Sequence, residues 1–234
     1  MDHQGGVISE PSNDWVASQA TIHEKRGFLS IKNVLSVQDV EAMHLVAMEN
    51  FATLLSLLQS KNLLLGIGIK YGYKELVQRH SNRYEMAFRM DNEVFDSASK
   101  NPVVLALVKA ILGPNPKVIN VSVVISIPSA KDQSWHSDGP HLSLTSDLPC
   151  HCVNVFIPLV DVDLENGPTS FRPESHYYTR DLTKFYMSAF AKKTLQAVES
   201  PCLLKGSILM FDYRYSHQFS INSTVCLTVY FFVS

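Results

Sequence analysis

Cysteine is scarce. There are four in 234 residues, at positions 150, 152, 202 and 226, too few for a chain of this length to be stapled as a disulfide scaffold. Cys150-His151-Cys152 resembles half of a metal site, but without a second pair it lacks the four ligands that structural zinc takes. These cysteines are expected to be ordinary strand or loop residues. An excess of either charge is also missing: Lys plus Arg number 20 and Asp plus Glu 22, a net of −2. Nucleic acid and anionic membrane surfaces are held by a basic excess, so neither is an expected partner. Long apolar runs are absent, and Leu63-Leu64-Leu65-Gly66-Ile67-Gly68-Ile69 falls well short of the roughly 20 residues that span a bilayer. The polar start (Asp2, His3, Gln4, Glu10, Asp14) does not read as a secretory signal, and Phe232-Val233-Ser234 is not a peroxisomal ending. A cytoplasmic location follows as the expectation, with the oligomeric state left open.

What is present is ample apolar content, 46% against 18% charged, enough to bury a core and typical of an enzyme or small-molecule binder. The two halves are patterned differently. From Ser36, the spacing of Val40, Met43, Ala47, Phe51, Leu54, Leu55 and Leu58 predicts an amphipathic helix, capped by Ser36 with Asp39. Asn101-Pro102 opens a second helix carrying Val103, Val104, Leu107, Val108 and Ile111, and Gly113-Pro114 stops it. Tyr73 to His80 is read as a shorter helix. After Pro116 the period falls to two. Strands are predicted at Val118 to Ile127, Cys152 to Val160, Thr169 to Arg172, Cys202 to Leu204, Ser207 to Tyr213 and Val225 to Val233. Turns at Asn166-Gly167-Pro168, Lys205-Gly206-Ser207 and Ile221-Asn222-Ser223 separate them. The expectation is one α+β, mainly β domain over 1–234, with about 1–115 as mostly helical support and 116–234 as a sandwich or barrel. Ser175 to Ser200 reads as a lid or wall over a pocket.

The chemistry concentrates in Gln133-Ser134-Trp135-His136-Ser137-Asp138-Gly139. His136 and Asp138 stand two apart, so on an extended segment both side chains leave one face and can meet on one ion. H-x-D alone is a weak signal. His217, after the strand Ile208 to Tyr213, supplies a second imidazole that a returning strand could bring to the same place. Two histidines and a carboxylate on one face of an ion leave positions open, the arrangement of non-haem Fe(II) oxygenases. His141, His151 and His176 are expected in structural or surface roles. Asn154, polar in an apolar strand, must be hydrogen-bonded, to a co-substrate or to a neighbouring strand.

Several segments, in order, resemble the phytanoyl-CoA dioxygenase family. They are Gln133 to Leu142, Asn154 to Asp161 running on to Glu165-Asn166-Gly167-Pro168, Pro173-Glu174-Ser175-His176, and Gly206 to His217. Tyr71-Gly72-Tyr73-Lys74-Glu75 and Asn82-Arg83-Tyr84-Glu85 are similar to the family's N-terminal half, and the resemblance spans about residues 25 to 231. It implies a double-stranded β-helix (jelly roll, cupin-like) braced by N-terminal helices. Iron would be held by His136, Asp138 and His217, and Gln133 matches a family position that hydrogen-bonds 2-oxoglutarate. The implied activity is that of an Fe(II)/2-oxoglutarate-dependent dioxygenase, with ascorbate as an optional reductant. It would oxidise a small organic or lipid-like substrate with dioxygen and release succinate and CO2.

One position departs from the family. An arginine after the second histidine normally pairs with the distal carboxylate of 2-oxoglutarate, whereas His217 to Tyr230 contains no Arg or Lys and Cys226 stands in its place. Three explanations compete. Arg214, or Arg83 or Arg89, substitutes for it; a different oxo-acid or none is used; or the chain is a catalytically silent binding or regulatory protein. A jelly-roll enzyme using zinc or manganese is a further alternative.

Overall fold

The computed structural model describes residues 10–87, 93–193, 197–220 and 223–234. Nine strands and five helices are defined among them. Helix α1 (Asn13–Arg26) starts at Ser12, whose side chain accepts the Trp15 N–H, and ends at Gly27 in the left-handed region (φ 79°). A Cβ there would lie 2.4 Å from the His176 and Tyr215 rings, so glycine is required by conformation and by space. Strand β1 (Phe28–Ile31) leads to α2 (Val37–Ser60), which Ser36 caps as expected. Next come β2 (Leu76–His80), β3 (Arg83–Ala87), α3 (Glu93–Ser99) and α4 (Pro102–Leu112), the last capped by Asn101. The second half supplies β4 (Val118–Ser126), β5 (Val153–Pro158), β6 (Thr169–Phe171), α5 (Leu182–Ala191), β7 (Ile208–Asp212), β8 (His217–Phe219) and β9 (Cys226–Val233).

Seven strands form one antiparallel sheet in the order β1-β7-β5-β9-β4-β3-β2, and β6 and β8 form a second. Alternation within each strand sorts side chains between two cores. Leu227, Val229, Phe231 and Val233 of β9, with Val153, Val155 and Ile157 of β5, pack toward Met43, Ala47, Val104 and Leu107 of the helices. The intervening Tyr230 and Phe156, with Leu209 and Phe211 of β7, face the second sheet and join Phe28, Phe171, Tyr215 and Phe219. Burial on both faces explains why these strands read as nearly continuous apolar runs. Two antiparallel sheets facing each other across a shared core, with helices packed on the far face of the larger one, make a double-stranded β-helix braced by helices.

Three sequence expectations change. Tyr73 to His80 is not helical, because Leu76–His80 is edge strand β2. The first half is not only a helical brace, since β1, β2 and β3 all belong to the main sheet. Cys202 to Leu204 contributes only an isolated bridge, Leu203 to Val162. The predicted turn at Ile221-Asn222 and the candidate Arg89 lie outside the described residues. No helix among the described residues is long and apolar enough to cross a membrane.

Candidate metal centre

The two halves of the candidate site meet through backbone. His136 N–H donates to the His217 carbonyl at 3.0 Å, and His217 N–H to that of His136 at 2.8 Å, so the H-x-D segment adds to the β6-β8 sheet. Gln133 N–H donates to the Phe219 carbonyl at 3.0 Å, and the Phe219 N–H returns to the Gln133 side chain. Asp138 is placed by the following Gly139, where a Cβ would come 1.4 Å from Cε1 of Tyr213. Only glycine lets that turn lie against the ring.

One ligating atom from each of His136, Asp138 and His217 falls within 4.8 Å of the others, the one such group among the described residues. His217 Nε2 is 3.5 Å from Asp138 Oδ2, and His136 Nε2 is 3.8 Å from Oδ1. Both imidazoles are oriented from behind. His136 Nδ1 bonds the Ser134 carbonyl at 2.8 Å and His217 Nδ1 that of Tyr215 at 3.0 Å. A carbonyl only accepts, so Nδ1 carries the proton and the Nε2 lone pair faces the carboxylate, as a metal-ligating histidine requires. Burial, with His136 alongside, lowers the His217 pKa despite Asp138, which favours the neutral ring that coordinates metal. The donor set and its backing therefore fit a divalent ion.

Asn154 donates from Nδ2 to Asp138 Oδ2 while its buried Oδ1 has no partner. The requirement that this polar strand residue be hydrogen-bonded is met by the Asp138 carboxylate. It does not line the cavity, so the co-substrate contact read from sequence is replaced by a role in holding Asp138. Gln133 does line it; its Oε1 accepts the Phe219 N–H at 3.1 Å. Arg214 is a second correction. Its Nε and Nη2 donate to Asp212 at 2.8 and 2.6 Å, Nη1 to the Leu148 carbonyl at 2.9 Å, and it is buried away from the cavity. His176 bonds the Glu24 carbonyl and His141 the Thr179 hydroxyl, the structural roles expected of them. Trp135 lies beneath the Arg172 guanidinium.

The triad opens into a cavity of about 760 Å³ whose lining includes Gly68, Ile69, Arg79, His80, Arg83, Glu85, Asn120 and Tyr230. Among the described residues of the 175–200 excursion, none lines it. Glu85 is held between Arg79 and the Tyr230 hydroxyl. Burial lowers the pKa of Arg79, but the hydrogen bond and charge of Glu85 outweigh this and raise it. This network escaped sequence reading because it depends on the register of β2, β3 and β9.

Solved structures of the same architecture include the non-haem α-ketoglutarate-dependent epimerase SnoN from nogalamycin biosynthesis, 15% identical over 95% of this chain and 84% of that one (TM-score 0.69). EctD from S. alaskensis, solved with 2-oxoglutarate and 5-hydroxyectoine, is 17% identical over 97% and 79% (TM-score 0.66). HygX from Streptomyces hygroscopicus, solved with nickel and 2-oxoglutarate, is 15% identical over 93% and 86% (TM-score 0.63). The model of the phytanoyl-CoA dioxygenase family matches residues 23–226, and the chain belongs to that family.

Proposed function

We propose that the protein is a non-haem Fe(II)/2-oxoglutarate-dependent oxygenase acting on a small, polar organic substrate. The observation that carries the reading is the convergence of His136, Asp138 and His217, with both Nε2 atoms presented to one carboxylate. These residues would hold the iron, with Gln133 beside it on the cavity wall toward the co-substrate. Iron and 2-oxoglutarate together supply the oxidising power for dioxygen chemistry, with succinate and CO2 as by-products. The chain's own part is orientation. Ser134 and Tyr215 carbonyls fix the rings, Asn154 fixes the carboxylate, and the aromatic wall of Phe156, Phe219 and Phe232 limits water. The cavity lining also carries Arg79, His80, Glu85 and Asn120, which suits a polar substrate better than the lipid-like one admitted by sequence.

A second reading, a silent binding protein, is favoured by Cys226 in the place of the usual arginine. Anaerobic addition of Fe(II) and 2-oxoglutarate separates the two, with a visible charge-transfer band and slow succinate release on admitting air as the expected result. His136→Ala should abolish the band. No band and no succinate at millimolar 2-oxoglutarate would leave the silent-protein reading standing.

A further inference from the structure

Arg83 opens β3 and is among the largest fully buried side chains of the protein, 1% exposed. A guanidinium so far from water is ordinarily matched by a carboxylate. This one is not. Nε donates to the Ser126 hydroxyl at 3.0 Å, Nη1 to the Lys131 carbonyl at 2.9 Å and Nη2 to the Ser220 carbonyl at 3.0 Å. All three acceptors are neutral. Of the five N–H groups that a guanidinium carries, two remain, one on each terminal nitrogen, and the side chain lines the cavity. Burial brings its pKa down to about 10, so the group is still a cation at neutral pH.

Its place in the sheet is informative. Arg83 is in register with Ser126 of β4, and Ser126 with Cys226 of β9. The three form one cross-strand row, and strands about 4.8 Å apart put Cys226 within reach of a long side chain from β3. Burial pushes the Cys226 thiol up to about 11, so it is neutral as well as small and leaves room in the row for a guanidinium. The row also lies at a suitable depth. Arg83 packs over the Phe219 ring at 5.5 Å from its centroid and bonds the Ser220 carbonyl, whereas His217 is two residues earlier on the same segment, about 7 Å along a strand. Gln133, bonded to Phe219, lies between. The other candidates are engaged: Arg79 is paired with Glu85 and Arg214 with Asp212.

We infer that Arg83 binds the distal carboxylate of 2-oxoglutarate, so that the anchoring cation stands on β3, two strands from Cys226 in the same row. The inference rests on the co-substrate reading above.

Anaerobic titration of the Fe(II)-loaded protein, read by the charge-transfer band, tests both. The ligands are 2-oxoglutarate and 2-oxopentanoate, which has the same chain length and chelating end but no distal carboxylate. Arg83→Met should weaken 2-oxoglutarate roughly ten- to a hundredfold, the loss of a charge-assisted bidentate contact. It should leave 2-oxopentanoate and Fe(II) affinities unmoved, and adding Cys226→Arg should restore most of the loss. If Arg83→Met does not fold, Arg83→Lys is read in the same way, with a selective loss of several-fold expected for an ammonium that offers no fork. Unchanged 2-oxoglutarate affinity, or equal loss for both ligands, overturns the role of Arg83 alone. A wild-type protein that binds iron but gives no band with either 2-oxo acid overturns the co-substrate reading and the inference with it.

Discussion

Replacing Arg214 by methionine should unfold the protein more easily without touching co-substrate binding. The Asp212 carboxylate accepts from Arg214 Nε, Nη2 and backbone N–H at 2.8, 2.6 and 2.9 Å, and the two side chains are 6% and 2% exposed. Burial would raise the Asp212 pKa, but the Arg214 hydrogen bonds and charge hold it below its ordinary value. Arg214→Met therefore leaves a buried carboxylate with little compensation, a loss of about 3–5 kcal/mol from a total on the order of 5–15 kcal/mol. Arg214→Met with Asp212→Leu removes both charges and should recover most of that loss, because an apolar pair of similar volume replaces a buried ion pair at little net cost. Urea denaturation followed by tryptophan fluorescence measures this as a fall in the midpoint at constant slope. Folded Arg214→Met should bind 2-oxoglutarate as the wild type does. Stability unchanged within about 1 kcal/mol, together with a tenfold loss of 2-oxoglutarate affinity, would refute the structural assignment of Arg214.

Gly139→Ala brings a methyl group to within 1.4 Å of the Tyr213 ring. Either the ring or the Asp138 turn must move, and metal affinity, measured by Co(II) titration, should fall about tenfold or more; Tyr213→Ala in the same chain should restore it, and equal affinities of wild type and Gly139→Ala would contradict the packing argument. His23 is buried, and burial, opposed by Asp212 and aided by His176 and Arg214, lowers its pKa to about 4. Its unfolded value is higher, so the unfolded chain takes up the proton first; stability present above pH about 6.5 is lost as pH falls toward 4, by about 3 kcal/mol. His23→Leu should flatten urea midpoints across that window, and a pH slope identical to that of the wild type would count against it.

Helices α2 and α4 were legible because their apolar faces repeat at helical spacing and Ser36 and Asn101 announce their starts. Strands β4, β5, β7 and β9 were legible because both of their faces are buried. Helix α1 gave a weaker signal: His23 is its one buried residue, and its apolar contacts come from the partly buried Trp15 and Val16. Strand β2 was misread because it is an edge strand that turns Arg79 and His80 to the cavity, which breaks the alternation. The triad could be read because H-x-D constrains two ligands by local geometry alone. Arg214 misled through its closeness in sequence to His217, although Asp212, two residues before it, already offered a partner on the same face. The surroundings of Arg83 were out of reach, because they follow from the pairing of β3 with β4 and of β4 with β9, which no local pattern states.

Charge balance in the cavity links these assignments. Arg79 and Glu85 cancel each other on the cavity wall. At the triad, under the proposed loading, the two charges of ferrous iron are matched by those of doubly ionised 2-oxoglutarate, leaving the negative charge of Asp138 to be met by Arg83. Without that guanidinium, the filled site would hold a net negative charge behind an aromatic wall, where the effective dielectric constant is far below that of water. With it, the charge of Asp138 is offset, while Asp132 also acts on the guanidinium. Selectivity would then rest on hydrogen bonds to Asn120, His80 and the Arg79–Glu85 pair, the polar side chains of the same cavity.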